Sequence, residues 1–460
     1  MQTKCFRLLL NARLVFLNSF RVSRRLSVLT LLATALAFVA QHAPAAPGDL
    51  DPAFGSDGMV TSDFQRSNDI AYATALQPDG KILIAGIRFI GNSATGGDFL
   101  IARYNPDGTL DRSFGQRGRV IVDLGLTEKA AAMAVQADGK IVIAGGTYDV
   151  FPAAGGQYAL VRFNSNGSLD TTFGNAGVVT TSFGTSGCFA SAMVIQSDGK
   201  IVAAGTNYID FSSNSDFGVA RYNSDGSLDS TFGTGGLVST DFNQGLDAAL
   251  AVTLQADGKI VAVGSAVSAV SFYDFALVRY LADGSLDSTF GTAGKVETDL
   301  GANNLDQANA AVLQPDGKIV AAGTTIARNG LDQFFALTRY NTDGTLDTGF
   351  GRSGLATVDF GSFFQIARSL HLQSDGKIVA VGYADTESSD SDFLVTRLKS
   401  NGRIDQSFGT QGTVRTSFGD LNGGANSSVL QPDGNIVAAG FNATSTRRGV
   451  DVALARYLGN

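Results

Sequence analysis

The stretch Arg103-Tyr104-Asn105-Pro106-Asp107-Gly108-Thr109-Leu110-Asp111-Arg112-Ser113-Phe114-Gly115-Gln116-Arg117-Gly118 decides the fold, because its pattern returns in phase along the chain. Its Phe stands at 54, 114, 173, 232, 290, 350 and 408. A second signature, Gln77-Pro78-Asp79-Gly80-Lys81, recurs with its Gln at 136, 196, 255, 314, 373 and 431, at spacings of 58 to 60 residues. A fixed long period marks an architecture of stacked, similar units. Seven copies fill residues 46–460 with no linker between them.

Each unit holds four short apolar segments separated by turn residues, in the first unit residues 59–64, 72–77, 81–87 and 98–104, here strands a, b, c and d. Strands b and c are joined through Asp79-Gly80, a hairpin signal in which Gly accepts the positive φ of a tight turn. Strand c, with Ile82-Leu83-Ile84-Ala85, is apolar on both faces and predicts a strand covered on both sides. The small residue four before each repeated Gln (Ala73, Ala132, Ala192, Ala251, Ala310, Ser369, Ser427) predicts close approach of neighbouring sheets. Four strands in about 59 residues suit a propeller blade. The predicted fold is an all-β, seven-bladed β-propeller of four-stranded blades, a single domain over 46–460; a linear array is the rival.

The chain ends argue for closure. Arg456-Tyr457-Leu458-Gly459-Asn460 followed by Gly48-Asp49-Leu50-Asp51 reproduces the nine-residue spacing of Arg103 to Asp111. One motif split between the two ends is what a ring needs and a linear array does not.

With both motifs in view, the chain resembles the delta-60 repeat family, predicted β-propellers of exported bacterial proteins, over residues 47–460. The residues that carry the resemblance include Leu110-Asp111, Phe114-Gly115, Gln136 and Asp138-Gly139-Lys140-Ile141. Departures are mild: Asn435 replaces the repeated Lys, Asn166 and Asn401 replace the Asp before Gly, and Leu398 replaces the aromatic after Arg. The resemblance implies a propeller and export, and brings no catalytic motif to these residues.

Composition agrees with a packed β protein. Of 460 residues 56 are Gly and only 8 Pro, which favours many tight turns over proline-rich linkers. Residues 1–45 hold six basic residues and no acid, then an apolar run over 26–40 and Ala43-Pro44-Ala45, the order of a secretory signal. The apolar run is short for a membrane span. Export to periplasm, medium or cell surface is therefore expected, with no integral membrane segment after cleavage. The formal charge is −8, and loss of those six basic residues makes it −14, which argues against a nucleic-acid binder. Cys5 leaves with the signal, so Cys188 has no disulfide partner and reads as an inert packed residue in preference to a reactive thiol. His371 is the one remaining histidine, which excludes His-clustered zinc sites and predicts a half-buried strand residue.

Repeated polar residues are candidates for structure before chemistry. The Arg at 103, 162, 221, 279, 339, 397 and 456 and the Asp at 51, 111, 170, 229, 287, 347 and 405 predict an Arg fork on a carboxylate and turn carbonyls. The alternative is a cation-binding turn built from Asn105, Asp107 and Asp111. At the end of strand a stand Asp63, Asp123, Ser182, Asp241, Asp299, Asp359 and Ser417. If strand a is innermost, Asp63, Asp123, Asp241, Asp299 and Asp359 would crowd the channel mouth and hold a cation, calcium by ligand type. The competing reading is that each caps its own turn.

Symmetry is broken in the loops. The a–b and c–d loops share one face, and there stand Tyr148 and Phe151, Tyr208 and Phe211, Phe272 and Tyr273, Phe363 and Phe364, with Arg447 and Arg448 in the last unit. Aromatic residues on exposed loops suit recognition of sugars or partner proteins. The sequence therefore points to a monomeric, non-enzymatic binding or interaction scaffold for a glycan or surface protein. Two alternatives stand beside it: a calcium-assisted hydrolase or lyase using channel carboxylates, and a structural envelope or surface-layer component.

Overall fold

A computed structural model describes residues 45–459 apart from 65–66, 90–95, 149–154, 211–212, 268–272, 302–304, 327–331, 363, 386–389, 420–421 and 445–448. The expected signal segment, up to Pro44, lies outside the described residues. Residues from Ala45 onward form one compact unit. Among the described residues no helix is long and apolar enough to cross a membrane.

Among the described residues, twenty-eight strands, β1 to β28, form seven antiparallel four-stranded sheets. The fold is the expected seven-bladed propeller, but the blade boundary is shifted from the sequence unit. The first blade runs β2 (Asn68–Leu76), β3 (Ile82–Phe89), β4 (Gly97–Tyr104) and β5 (Arg119–Val122). Its order is thus b, c and d of one unit followed by a of the next. The innermost strands of blades 2 to 6 are β6 (Thr127–Val135), β10 (Gly187–Ile195), β14 (Ala248–Leu254), β18 (Gln307–Leu313) and β22 (Gln365–Leu372), each packed on the next around the ring. Strand b is therefore innermost and strand a outermost, which corrects the radial order expected from the sequence. The four-residue a strands suit an outer edge, whereas b carries the small residues that the crowded axis demands.

The seventh blade takes β26 (Gly423–Leu430), β27 (Ile436–Thr444) and β28 (Gly449–Tyr457) from the end of the chain and β1 (Met59–Ser62) from its beginning. Met59 to Ser62 pair antiparallel with Ala455 to Val452, and Leu50 bridges Tyr457. The split motif is completed across the ends, as its spacing predicts.

Strand c is buried along nearly its whole length in each blade, and the sheets pack face to face through clusters that join neighbouring blades. The repeated Phe is fully buried in all seven units, which bears out its expected place in the core. Above it lies the repeated Arg. In six blades Arg Nε donates to the motif Asp at 2.7–2.8 Å, and in the seventh Arg456 pairs with Asp51 at 2.9 Å. The same guanidinium donates to a turn carbonyl of the following blade, as Arg103 does to Ser165 at 2.6 Å and Arg456 does to Pro106. It also stacks on the Phe ring, at 4.5–4.9 Å from the centroid. Each Arg thus ties carboxylate, core ring and next blade together. Asp111 is occupied by Arg103, Lys81 and Ser113, and Asp107 by the Thr109 N–H and hydroxyl, so the carboxylates of the suggested cation-binding turn are already engaged.

Candidate functional site

Every innermost strand is broken by one β-bulge, at Ala71/Ala73 in β2 and at the matching register shift in the other six. A bulge inserts an unpaired residue and re-aims its side chain. The glycine opposite leaves room for it: a Cβ on Gly86 would lie 1.8 Å from the Ile70 carbonyl oxygen. The inserted residues are Tyr72, Ala131, Ser191, Leu250, Asn309, Arg368 and Asn426, and all seven face one axial cavity of about 430 Å³. The small residues that follow them (Ala73, Ala132, Ala192, Ala251, Ala310, Ser369, Ser427) also line it. The close approach expected at those positions is the convergence of seven strands on the axis.

The bulge residue differs around the ring, so the cavity is not seven-fold symmetric. Lys129 on β6 reaches it with Nζ 4.0 Å from the Tyr72 ring centroid and 5.8 Å from that of Phe189. Burial, aided by the charge of Arg368, pushes the Lys129 ammonium down to about 8. Arg368 makes only long contacts, 3.5 Å to Asn309 Oδ1 and 3.4 Å to the Tyr383 hydroxyl, and its buried Nε has no hydrogen-bond partner. No carboxylate lines the cavity among the described residues. Two cations without a counter-charge, rimmed by aromatic rings, make an anion-seeking pocket.

The strand-a carboxylates are elsewhere. Asp63, Asp123, Asp241, Asp299 and Asp359 follow outermost strands and stay off the axial cavity, so a carboxylate ring at the channel is corrected. Asp123, Asp299 and Asp359 each accept the backbone N–H two residues on, and Asp241 accepts that of Gln244, which is the turn-capping alternative. The same residues stand at the corners where one blade meets the next. There they face a second residue set that the sequence reading missed: Asp69, Glu128, Cys188, Asp247, Asp306, Gln365 and Gly423, at or just before the start of each b strand. Asp69, Glu128, Asp247 and Asp306 are fully buried. Burial, against hydrogen bonds that favour the charged form, pushes Asp69 and Asp306 up to about 6 and Glu128 and Asp247 up to about 7.

Of the predicted loop aromatics, Tyr148 packs near Phe189 (ring centroids 6.5 Å), which lines the cavity, and Phe364 on Tyr383 (5.9 Å), whose hydroxyl lies 3.4 Å from Arg368. Tyr208 and Tyr273 are half-buried and do not line the cavity. Phe151, Phe211, Phe272, Phe363, Arg447 and Arg448 lie outside the described residues. His371 is half-buried on β22, with Nε2 2.9 Å from both the carbonyl oxygen and the hydroxyl of Ser428, and burial pushes it down to about 4. No carboxylate pairs with it among the described residues, so the Ser-His contact lacks the third member of a triad. Cys188 is buried on β10, with its thiol 3.4 Å from the Thr181 carbonyl oxygen, and burial pushes it up to about 11.

Fold and cavity together define a closed β-propeller with a cationic, aromatic axial pocket. The chain carries repeats of a family described as "Domain of unknown function (DUF5122) beta-propeller", matched at residues 77–114, 136–173, 196–232, 255–290, 314–350 and 373–408. Each matched window opens on the repeated Gln and closes on the repeated Phe; the corresponding seventh window opens at Gln431 and closes at Phe54, across the chain ends. No curated protein matches the chain. Among solved structures it is similar to a catalytically inactive variant of virginiamycin B lyase from Staphylococcus aureus, at 12% identity and TM-score 0.44 over 86% of this chain and 98% of that one. It is also similar to the polysaccharide lyase Uly1, at 11% identity and TM-score 0.47 over 85% of this chain and 90% of that one. A gluconolactonase, XC5397 from Xanthomonas campestris, aligns at 12% identity and TM-score 0.38 over 86% of this chain and all (100%) of that one.

Proposed function

We propose that this protein is an exported, non-enzymatic binding propeller whose axial cavity takes an acidic glycan. The observation that carries the reading is the pairing of Lys129 and Arg368 in a cavity whose described lining holds no carboxylate. A carboxylate or sulfate on a sugar would supply the missing counter-charge and the acceptor for Arg368 Nε. Tyr72 and Phe189, with Tyr148 near Phe189, offer faces on which a sugar ring stacks. Export rests on the basic, apolar and small-residue order of residues 1–45. Calcium-assisted catalysis at channel carboxylates loses its basis, because the carboxylates expected there stand at the blade corners.

The test is calorimetry of residues 46–460 against oligosaccharides carrying carboxylate or sulfate groups and against their neutral counterparts. Saturable binding of the acidic set alone is expected, with affinity reduced about ten-fold or more by Lys129→Ala and by Arg368→Ala in folded variants. Affinity should fall as pH rises through about 8, where Lys129 gives up its proton. Equal binding of neutral sugars, or acidic binding untouched by both substitutions, would refute the reading.

A further inference from the structure

We propose that two of the blade corners are divalent-cation sites of the calcium type: Asp98, Asp123 and Glu128 between the first and second blades, and Asp274, Asp299 and Asp306 between the fourth and fifth. In each trio one residue belongs to strand d, one follows the outermost strand of the same blade, and one stands at the start of the next blade's innermost strand. One ligand atom from each of the three carboxyls lies within 4.8 Å of the others. An ion central to such a triangle sits within about 2.8 Å of all three oxygens, which suits calcium, at about 2.3–2.6 Å, better than the smaller magnesium.

Convergent acids alone do not make a site, and the seven corners supply the contrast. At two of them a buried oxygen is left without a hydrogen bond of normal length and angle: Glu128 Oε2 and Asp306 Oδ1, with the Leu124 N–H and the Thr325 hydroxyl as their near neighbours, in residues that are both fully buried. The other oxygen of each is already held, Glu128 Oε1 by the Leu126 N–H at 2.9 Å and Asp306 Oδ2 by the Leu300 N–H at 2.8 Å. Backbone donors therefore fix each carboxylate through one oxygen and leave the second available to a ligand. Those are the same two corners where three carboxylates converge.

Elsewhere the protein supplies its own donors. Asp247 uses both oxygens, on the N–H groups of Phe242 and Val267, and Asp69 uses both, on the Phe64 N–H and the Ser67 hydroxyl. Between the fifth and sixth blades Gln365 replaces the buried acid and donates its amide to Asp359 at 2.9 Å. Between the sixth and seventh, Arg415 lies 3.8 Å from Asp392 and Gly423 stands at the buried position. A buried, unpaired carboxylate oxygen is costly, and an oxygen-liganding cation is the group that would satisfy it while neutralising three acids.

The experiment is calcium titration of chelator-treated residues 46–460 by calorimetry, with magnesium as comparison. Two saturable calcium sites are expected, with magnesium weaker by about ten-fold or more. Glu128→Gln and Asp306→Asn should each remove one site. Asp123→Asn and Asp299→Asn, at exposed positions, serve as second variants that spare the buried core, and Asp247→Asn should leave both sites intact. Absence of saturable calcium binding by the folded wild type would overturn the proposal. So would a stoichiometry unchanged in Asp123→Asn and Asp299→Asn. The glycan test has a separate readout, and either result leaves the other standing.

Discussion

Replacing Asp247 by Asn should convert a pH-dependent weakness into a constant, smaller one. Asp247 is fully buried, takes the Phe242 N–H at 2.7 Å and a longer bond from Val267 at 3.3 Å, and feels the carboxylates of Asp241 and Asp216. Burial, with those two neighbours, holds its folded pKa at about 7. The unfolded value is about 4, so the folded chain binds this proton more tightly. The contribution to stability is complete below about pH 4 and is lost progressively as pH rises through 7. A shift of about three units sets a ceiling of roughly 4 kcal/mol on that loss. Asn keeps the acceptor for Phe242 and puts an amide where Val267 now donates, at a pH-independent cost of about 1 kcal/mol. The variant should therefore be slightly less stable than wild type at about pH 3.5 and more stable at pH 8, by up to roughly 3 kcal/mol. For a chain of this size that ceiling is a Tm gain of about 3 °C, and the two curves should cross at about pH 4.5–5. Thermal melts over this pH range in the presence of a chelator read the crossing directly. An equal loss of Tm at both ends of the range would show that Asp247 does not change protonation there, and would refute the reasoning.

Two further outcomes follow from the same contacts. Asp229→Ala leaves the buried Arg221 without its carboxylate and should cost about 3 kcal/mol or more, while Asp107→Ala, at an exposed turn, should cost under about 1 kcal/mol; urea denaturation separates the two. Cys188, buried and raised to about 11, should stay unmodified by a maleimide at pH 7 in the native protein and react on unfolding, as mass spectrometry will record.

The repeat, the Asp-Gly hairpins, the Arg-Asp staple and the closure across the ends were all legible in the sequence, because each is written identically in most units. Radial order was not. Strand a and strand b are both short and partly apolar, and what places b at the axis is a bulge whose inserted residue varies around the ring, from Tyr72 to Asn426. A search for sameness passes over such a position. The buried acids of the corners were hidden for a related reason: Asp69, Glu128, Asp247 and Asp306 occupy a place in the blades that the other three units fill with Cys188, Gln365 and Gly423. The signal that exposes them is their fixed offset, four residues before the small channel residue of every unit.

The borrowed outermost strand has a mechanical consequence. Residues at the two ends of the ring run side by side, Leu50 against Tyr457 and Gly48 N–H on the Leu458 carbonyl at 2.7 Å. Domains fused to both ends would be tethered at a single point on the rim. A pull that separates those tethers loads the β1–β28 ladder at its end, so its bonds break one pair after another, whereas a pull on one end against the far side of the ring shears them together.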